Sequence, residues 1–276
     1  METFGERLHA VVAERGPLCV GIDPHASLLA RWGLPDDISG LERFAHTVVD
    51  ALADRVAVLK PQSAFFERFG SRGVAILEST IRQSREAGAL VLLDVKRGDI
   101  GSTMAAYADA YLNPASTLCA DAITVSPYLG VGSLRPTFES AAAHGGGVFV
   151  LALTSNPEGP AVQHAVTASG KTVAQTVIDE ISQVNAGVKP LGSLGLVVGA
   201  TIGETGHDLS AVNGPMLAPG LGAQGGTPDD LRAVFGESLH NVLPSYSREV
   251  LAAGPEIADL RAATDRVLAG VRAALG

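Results

Sequence analysis

The sequence is short of positive charge and of lysine in particular, and both shortages narrow the possible functions. Of its 276 residues, 20 are Lys or Arg and 29 are Asp or Glu, so the net charge is −9. A protein that binds nucleic acid needs a basic face, and this balance predicts no nucleic-acid partner. The lysines are Lys60, Lys96, Lys171 and Lys189. Lysine can lose a proton whereas arginine stays charged, so the two lysines that end apolar runs, Lys60 and Lys96, indicate proton chemistry.

Cysteines and long apolar runs are also scarce. Cys19 and Cys119 are far apart and form no CxxC motif, which predicts no disulfide framework and a reducing compartment. No apolar run approaches the roughly 20 residues of a membrane span. The charged N-terminal segment METFGERLHAVVAERG lacks the features of a signal peptide. We therefore expect a cytoplasmic protein without a membrane partner.

Strand-like apolar runs alternate with helical segments along the whole chain. The predicted strands are 18–23, 56–60, 90–95, 122–125, 148–153, 196–199, 216–218 and 241–243. The predicted helices are 2–15, 40–54, 72–87, 102–112, 132–143, 171–186, 203–211, 228–235 and 256–274. This alternation predicts an α/β fold with one domain over residues 1–276, a (β/α)8 TIM barrel with an extra N-terminal helix. A doubly wound open sheet is the alternative.

The stretch VLLDVKRGDIGST at 91–103 carries the strongest functional signal. Its apolar start fits a strand that is buried on both faces of a parallel sheet. Asp94 and Lys96 follow at a spacing of two, so they point to the same side of a strand, and Asp99 precedes a Gly-Ser-Thr that can begin a helix. A buried strand that ends in charged residues predicts a functional site. A structural ion pair between Asp94 and Lys96 is the alternative.

Polar residues also follow the other predicted strands, where the active sites of TIM barrels lie. They include Asp23, Lys60, Thr154, Ser155, Asn156 and Arg248. After strand seven, PGLGAQGG at 219–226 contains a G-x-G-x-x-G match, but it comes too late in the chain for a dinucleotide fingerprint. Together with Gln224 and Arg248, this glycine loop predicts a phosphate site. An ordinary turn is the alternative.

Three further features bear on the site. The seven histidines have no metal-binding spacing such as HExxH, so no metal site is predicted. The turn-rich segment 156–165 is either a mobile lid or an inert loop. Tyr128, which follows strand four in SPYLG, either lines the pocket or packs.

In combination, these motifs resemble orotidine 5'-phosphate decarboxylase. The resemblance rests on DVKRGDI at 94–100, on VLKPQSAFFE around Lys60 and on GAQGG at 222–226. It extends from CVGIDP at 19–24 to SREVL at 247–251, and so covers most of the chain. The sequences DVKRGDIGST, SPYLG and TSNPEG resemble the longer bacterial subgroup of this family. The segment LPSYSREV differs from the short glycine-arginine ending that is common elsewhere in it.

The resemblance implies a TIM barrel that converts orotidine 5'-monophosphate to uridine 5'-monophosphate and carbon dioxide, the last step of de novo pyrimidine biosynthesis. It implies no metal and no cofactor, and a homodimer in which each active site is completed by the partner subunit. The implied catalytic residues are Lys96, the proton donor to C6, and Asp94, Lys60 and Asp99, which complete a charge network. The implied substrate-binding residues are Asp23 with Lys60 for the ribose, Ser155 for the pyrimidine, Gln224, Gly225 and Arg248 for the phosphate, and Pro219 beside them. Asp99, Ile100 and Thr103 are expected to reach the neighbouring subunit's site.

Two rival functions remain open on the sequence. A magnesium-dependent sugar-phosphate decarboxylase or aldolase of the same barrel superfamily shares Asp-x-Lys-x-x-Asp, although Lys60 and the GAQGG loop disfavour it. A nucleotide-binding barrel without enzyme activity is the second rival. The presence of Lys60, Asp94, Lys96 and Asp99 together disfavours it.

Overall fold

Eight parallel strands close into a barrel in the computed structural model, which describes residues 1–275. The strands are β1 Cys19–Ile22, β2 Val58–Pro61, β3 Leu90–Arg97, β4 Ala122–Val125, β5 Gly147–Leu153, β6 Leu194–Val198, β7 Met216–Ala218 and β8 Val242–Tyr246. Each strand pairs with the next one along the chain, and β1 closes the ring by pairing with β8, Cys19 opposite Ser245. The predicted TIM barrel is confirmed, and the open sheet is excluded. The single-domain boundary at 1–276 stays a prediction.

Helices connect the strands and surround the barrel. They are α1 Phe4–Arg15, α2 Ala26–Arg31, α3 Ile38–Leu52, α4 Ser63–Glu67, α5 Gly70–Glu86, α6 Gly101–Leu112, α7 Arg135–His144, α8 Pro160–Gln163, α9 Val173–Asn185, α10 Pro228–Phe235, α11 Arg248–Leu251 and α12 Ile257–Leu275. Short 3-10 helices lie at Val131–Leu134, Gly222–Gln224 and Gly236–Asn241. Within residues 1–275, no helix has both the length and the apolar character to cross a membrane.

Several helix boundaries follow from local capping chemistry. A capping box begins α1, where Thr3 accepts from the Glu6 N–H and Glu6 accepts from the Thr3 N–H. At the start of α10, the Asp230 carboxylate accepts from the Thr227 N–H at 2.7 Å, and Pro228 lies in the first turn. In both cases a side chain accepts from a backbone N–H at the helix start that has no partner within the helix.

The predicted helix at 203–211 is wrong, because this stretch is an irregular connection between β6 and β7. Gly203 and Gly206 have φ angles of +70° and +65°, in the left-handed region. Between them, the Thr205 hydroxyl accepts from the His207 N–H at 3.0 Å. Short polar side chains that bond to nearby backbone compete with a helix, and glycines weaken it further.

The N-terminal helix closes the end of the barrel at which the strands begin. Phe4 is 1% exposed, and its ring meets that of Phe149 edge-on with centroids 5.9 Å apart. At Gly147 a Cβ would lie only 2.3 Å from the Phe4 ring, so the sequence has glycine where the two elements approach. Phe4 and Leu8 join the residues of the barrel interior, such as Leu92, in one apolar cluster. The predicted extra helix is therefore confirmed, and it covers the end of the barrel opposite the carboxyl ends of the strands.

Candidate active site

A cavity of about 340 Å³ opens at the carboxyl ends of the strands, and all eight strands or the loops directly after them contribute to its lining. Its polar lining consists of Asp23, Lys60, Gln62, Asp94, Lys96, Thr124, Thr154, Ser155, Asn156, Gln224, Ser245, Ser247 and Arg248. Apolar side chains from the barrel interior, Leu151, Val197 and Leu217, also line it. The cavity thus combines an apolar part with many convergent polar groups, which is typical of a small-molecule site.

The carboxylate of Asp94 lies between two ammonium groups. The Lys96 Nζ is 2.6 Å from each Asp94 oxygen, and the Lys60 Nζ is 3.6 Å from Oδ2. Asp94 and Lys60 are buried, whereas the Lys96 side chain is 46% exposed at the cavity. Strand pairing explains the arrangement, because β2 and β3 are neighbours and both end at the cavity.

These charges fix the protonation states of the buried pair. Burial opposes ionisation of Asp94, but the positive charges of Lys60 and Lys96, with hydrogen bonds from Lys96 and Thr124, hold its pKa below the ordinary value. Burial also disfavours the charged form of Lys60, and the negative charges of Asp23 and Asp94 outweigh it and raise its pKa. At neutral pH Asp94 is therefore a carboxylate and Lys60 an ammonium.

Asp23 presents an unused acceptor. It follows β1, is 6% exposed and lines the cavity. Its Oδ1 is buried and has no hydrogen-bond partner among residues 1–275. A buried acceptor without a partner is unfavourable, so this oxygen suits a hydroxyl donor supplied by a ligand.

The glycine loop after β7 folds back on itself beside the cavity. Gly220 and Gly225 have φ angles of +104° and +95°, which favour glycine. Pro219 and Gln224 line the cavity, as does Arg248, which begins α11 after β8. Gly225 lies outside the lining, and its N–H donates to the Gly222 carbonyl at 2.7 Å. A phosphate contact at Gly225 requires that bond to open.

The segment that follows β5 is tied to the strand end. Thr154 and Gln163 form a pair of hydrogen bonds, from the Thr154 N–H at 2.9 Å and from the Gln163 amide to the Thr154 hydroxyl at 2.7 Å. The segment 156–165, for which the sequence leaves a mobile lid and an inert loop open, contains a helical turn, α8, whose Gln163 bonds to the end of β5. Whether it moves stays a prediction. Ser155 lies at the base of this segment and lines the cavity.

Three predicted site residues lie outside the cavity of their own barrel. Asp99, Ile100 and Thr103 sit at the start of α6, where the Asp99 Oδ1 accepts from the Ile100 N–H at 2.8 Å. Ile100 is 62% exposed and Thr103 is exposed as well. Tyr128 is 80% exposed and neither lines the cavity nor packs in the core. These side chains are available to another molecule rather than to this cavity.

Sequence reasoning missed several lining residues, of which Thr124 is the most informative. It is 1% exposed, and its hydroxyl donates to the Asp94 Oδ1 at 2.7 Å. Thr124 is the one polar residue in the short strand AITV, and that pattern was the available signal. Gln62 was missed because it lies beyond the predicted strand end at Lys60. Ser245 and Ser247, which belong to the polar SYSR segment after predicted strand eight, also line the cavity.

The donor set does not form a metal-binding cluster. Across residues 1–275, three or more His, Cys, Asp or Glu side chains nowhere come together in a metal-binding group. The carboxylates at the cavity, Asp23 and Asp94, share the ammonium of Lys60 instead.

Comparison with known proteins identifies the family of this chain. The model of the orotidine 5'-phosphate decarboxylase / HUMPS family matches residues 16–263. A Salinispora arenicola (strain CNS-205) protein named orotidine 5'-phosphate decarboxylase is 78% identical over 275 residues, covering 100% of this chain and 99% of its own. A Streptomyces coelicolor protein of the same name is 62% identical over 276 residues, with coverage of 100% and 99%.

A solved structure is similar to this chain over its whole length. The crystal structure of a candidate orotidine 5'-phosphate decarboxylase from Streptomyces avermitilis has a TM-score of 0.97 and 62% identity, and covers 100% of this chain and 96% of its own. The family match spans most of the sequence, and these relatives match it over its full length. The chain therefore belongs to the orotidine 5'-phosphate decarboxylase / HUMPS family.

Proposed function

We propose that this chain decarboxylates orotidine 5'-monophosphate to uridine 5'-monophosphate and carbon dioxide, the last step of de novo pyrimidine biosynthesis, without a metal or cofactor. The observation that carries the proposal is the Asp94 carboxylate held between the ammonium groups of Lys60 and Lys96 in a cavity. Relatives that are 78% and 62% identical over their whole length bear the name of this enzyme, which supports it.

The chemistry of the reaction requires such an arrangement. When the bond between C6 of the pyrimidine and its carboxylate breaks, the electron pair stays on C6, which has no adjacent electron sink. Preorganised charge must then stabilise the carbanion. The Lys96 ammonium supplies positive charge at this position, and its Nζ then gives a proton to C6. The Asp94 carboxylate lies beside the departing carboxylate and disfavours the ground state.

The remaining lining residues fit the rest of the nucleotide. The unpaired Oδ1 of Asp23, with Lys60 beside it, accepts a hydrogen bond from the ribose, and Ser155 contacts the pyrimidine. Arg248 and Gln224, with Pro219 and Gly225, receive the phosphate. Binding energy gained at the phosphate, far from the bond that breaks, contributes to closure of the site.

The exposed surface beside residues 97–100 supports a homodimer. Ile100, Tyr128 and Leu129 are 62%, 80% and 52% exposed. They lie on two loops that run side by side, since the Ser126 N–H donates to the Arg97 carbonyl at 2.8 Å. A second copy of the chain covers these side chains, because large exposed apolar side chains favour burial at an interface.

In that dimer, Asp99, Ile100 and Thr103 enter the partner's active site. Their position at the start of α6, outside the cavity of their own chain, supports this role.

We also propose a cytoplasmic location. The thiols of Cys19 and Cys119 are both free, as is usual in a reducing compartment.

The decisive experiment is a spectrophotometric assay with orotidine 5'-monophosphate, with and without excess chelator. We expect loss of substrate absorbance, formation of uridine 5'-monophosphate, and equal rates in both conditions. Turnover that the chelator abolishes contradicts the metal-independent mechanism. No turnover by folded protein contradicts the proposed reaction, and the same protein is then assayed with sugar phosphates and Mg²⁺.

A further inference from the structure

The ladder between β3 and β4 contains a bulge at the reactive residues. Pairing is regular up to Leu93 and resumes at Arg97, so it skips three residues of β3 but only Thr124 of β4. A β-bulge re-aims side chains and leaves backbone groups of the longer strand without ladder partners. Here it places Lys96 at a φ of +46°, a left-handed conformation that is unfavourable for a residue with a side chain.

The hydroxyl of Thr124 replaces the missing ladder contact. It accepts a hydrogen bond from the Lys96 backbone N–H at 3.0 Å and donates one to the Asp94 Oδ1 at 2.7 Å. The Lys96 Nζ reaches the same Oδ1 at 2.6 Å. These three contacts form a closed ring that connects the main chain and the side chain of Lys96 to one carboxylate.

The direction of each bond in this ring is fixed by the groups present. An ionised carboxylate is only an acceptor, and a backbone N–H is only a donor. The Thr124 hydroxyl must therefore point its proton at Asp94 and its lone pair at Lys96. Thr124 is 1% exposed, so water does not readily take its place. Valine has the same shape but can make neither bond.

We propose that Thr124 is a positioning residue for the decarboxylation, whose hydroxyl holds Asp94 and the left-handed backbone of Lys96 in the geometry from which Lys96 protonates C6. It acts through these two residues. The inference rests on the proposed function.

The test compares Thr124→Val, which removes the hydroxyl, with Thr124→Ser, which keeps it. For Thr124→Val we expect kcat to fall about 10- to 100-fold, the effect of losing a hydrogen bond to a charged group. The KM for orotidine 5'-monophosphate and the Kd of uridine 5'-monophosphate should stay within about threefold of wild type, because the phosphate and ribose contacts are intact. Thr124→Ser should restore kcat to within about threefold of wild type.

The pH profile supplies a readout that a structural role does not move. Hydrogen bonding by Thr124 helps to lower the pKa of Asp94. In Thr124→Val the acidic limb of log kcat against pH should therefore shift to higher pH, and in Thr124→Ser it should not. Thr264→Val is the matched control, since its hydroxyl is also buried and bonded, to the Leu260 carbonyl at 2.9 Å, and lies in α12. Its kcat and profile should equal those of wild type.

The possible results distinguish failure of the proposed function from failure of the proposed role of Thr124. If the wild-type chain lacks turnover, the proposed function itself fails. If wild type is active and Thr124→Val keeps its kcat and pH profile, only the role of Thr124 fails. Equal impairment of Thr124→Ser and Thr124→Val also overturns it, because the hydroxyl is then not the cause. Should Thr124→Val not fold, Thr124→Ala takes its place under the same criteria, with melting temperature and uridine 5'-monophosphate binding as checks of the fold.

Discussion

The ammonium of Lys60 lies 3.6 Å from the carboxylate of Asp94, although these residues are only 6% and 8% exposed. Taking two charges out of water is unfavourable, and a pair of apolar residues of the same size is often at least as stable. Lys60 also faces the charge of Asp23, so three charged groups share one buried region. A contribution to stability alone is therefore a weak explanation for three buried charges. Their presence in a cavity is explained by chemistry on a ligand.

Replacement of Lys96 by alanine should abolish turnover without loss of nucleotide binding. Lys96→Ala removes the proposed acid and a fixed positive charge, so we expect kcat to fall by at least about 100-fold. Lys96 is half-exposed at the cavity, and the protein should still fold and bind uridine 5'-monophosphate. Steady-state kinetics and titration calorimetry measure both properties. Lys189→Ala, an exposed lysine outside the cavity, is the control and should keep wild-type kcat. Appreciable activity in Lys96→Ala contradicts the assignment.

The stability contributed by Asp94 should depend on pH in a defined direction. Burial opposes its ionisation, but the lysine charges keep its folded-state pKa below the ordinary 3.8. A lowered pKa contributes stability above the unfolded value, and this is lost as the pH falls through the folded value. The difference in unfolding free energy between wild type and Asp94→Asn should thus be constant above about pH 5 and change below about pH 4. Urea denaturation measures it.

The control for that series is Asp265→Asn, whose carboxylate is 64% exposed and lies 3.7 Å from Arg55. A surface change of this kind should alter the unfolding free energy by less than about 0.5 kcal/mol. The lowered pKa of Asp94 is contradicted if the unfolding free energies of wild type and Asp94→Asn differ by the same amount at pH 3 and at pH 7.

The barrel could be predicted because parallel strands buried on both faces appear in the sequence as apolar runs. The same logic placed Asp23, Lys60, Asp94 and Lys96 at one end, since parallel strands all end at the same edge. The structure brings these four residues to one cavity. What could be predicted therefore depended on local pattern and on the regularity of the fold.

The remaining features depend on strand register and on the conformation of loops. The role of Thr124 arises from a register shift against β3, and no pattern within AITV reveals a shift in another strand. Gly225, which the resemblance implies as a phosphate contact, instead donates its N–H to the Gly222 carbonyl because of how the loop turns back. At 203–211, side-chain bonds and left-handed glycines overrode a helical pattern. The Thr124 contact joins residues 28 positions apart. The two loop contacts are local, but they depend on left-handed glycine conformations that the sequence permits and does not dictate.

The contact between Phe4 and Phe149 should make α1 essential for stability but not for chemistry. Phe4→Ala removes a fully buried ring at the closed end of the barrel, and we expect a loss of about 3–5 kcal/mol in the free energy of unfolding. The kcat of the folded variant should be unchanged, because the cavity is at the other end. Urea denaturation and the turnover assay measure the two effects.

His9→Ala is the control. This side chain is exposed on the same helix, so the substitution should change the free energy of unfolding by less than about 0.5 kcal/mol. A loss below about 1 kcal/mol for Phe4→Ala means that α1 does not close the barrel in solution.

Shared active sites in a homodimer should allow two inactive variants to restore each other. Asp99 lies outside the cavity of its own chain, whereas Lys96 lies inside it. If Asp99 serves the partner's site, a heterodimer of Lys96→Ala and Asp99→Ala has one site with both defects and one site with neither. Each homodimer alone should be inactive. After the two variants are unfolded together and refolded, random pairing should return about a quarter of the wild-type activity.

Size-exclusion chromatography checks that dimers form. A mixture of Lys96→Ala with Lys60→Ala, both within one cavity, is the control and should stay inactive. If dimers form but the Lys96→Ala and Asp99→Ala mixture also stays inactive, Asp99 acts within its own subunit, and the start of α6 must then move toward the cavity when the nucleotide binds.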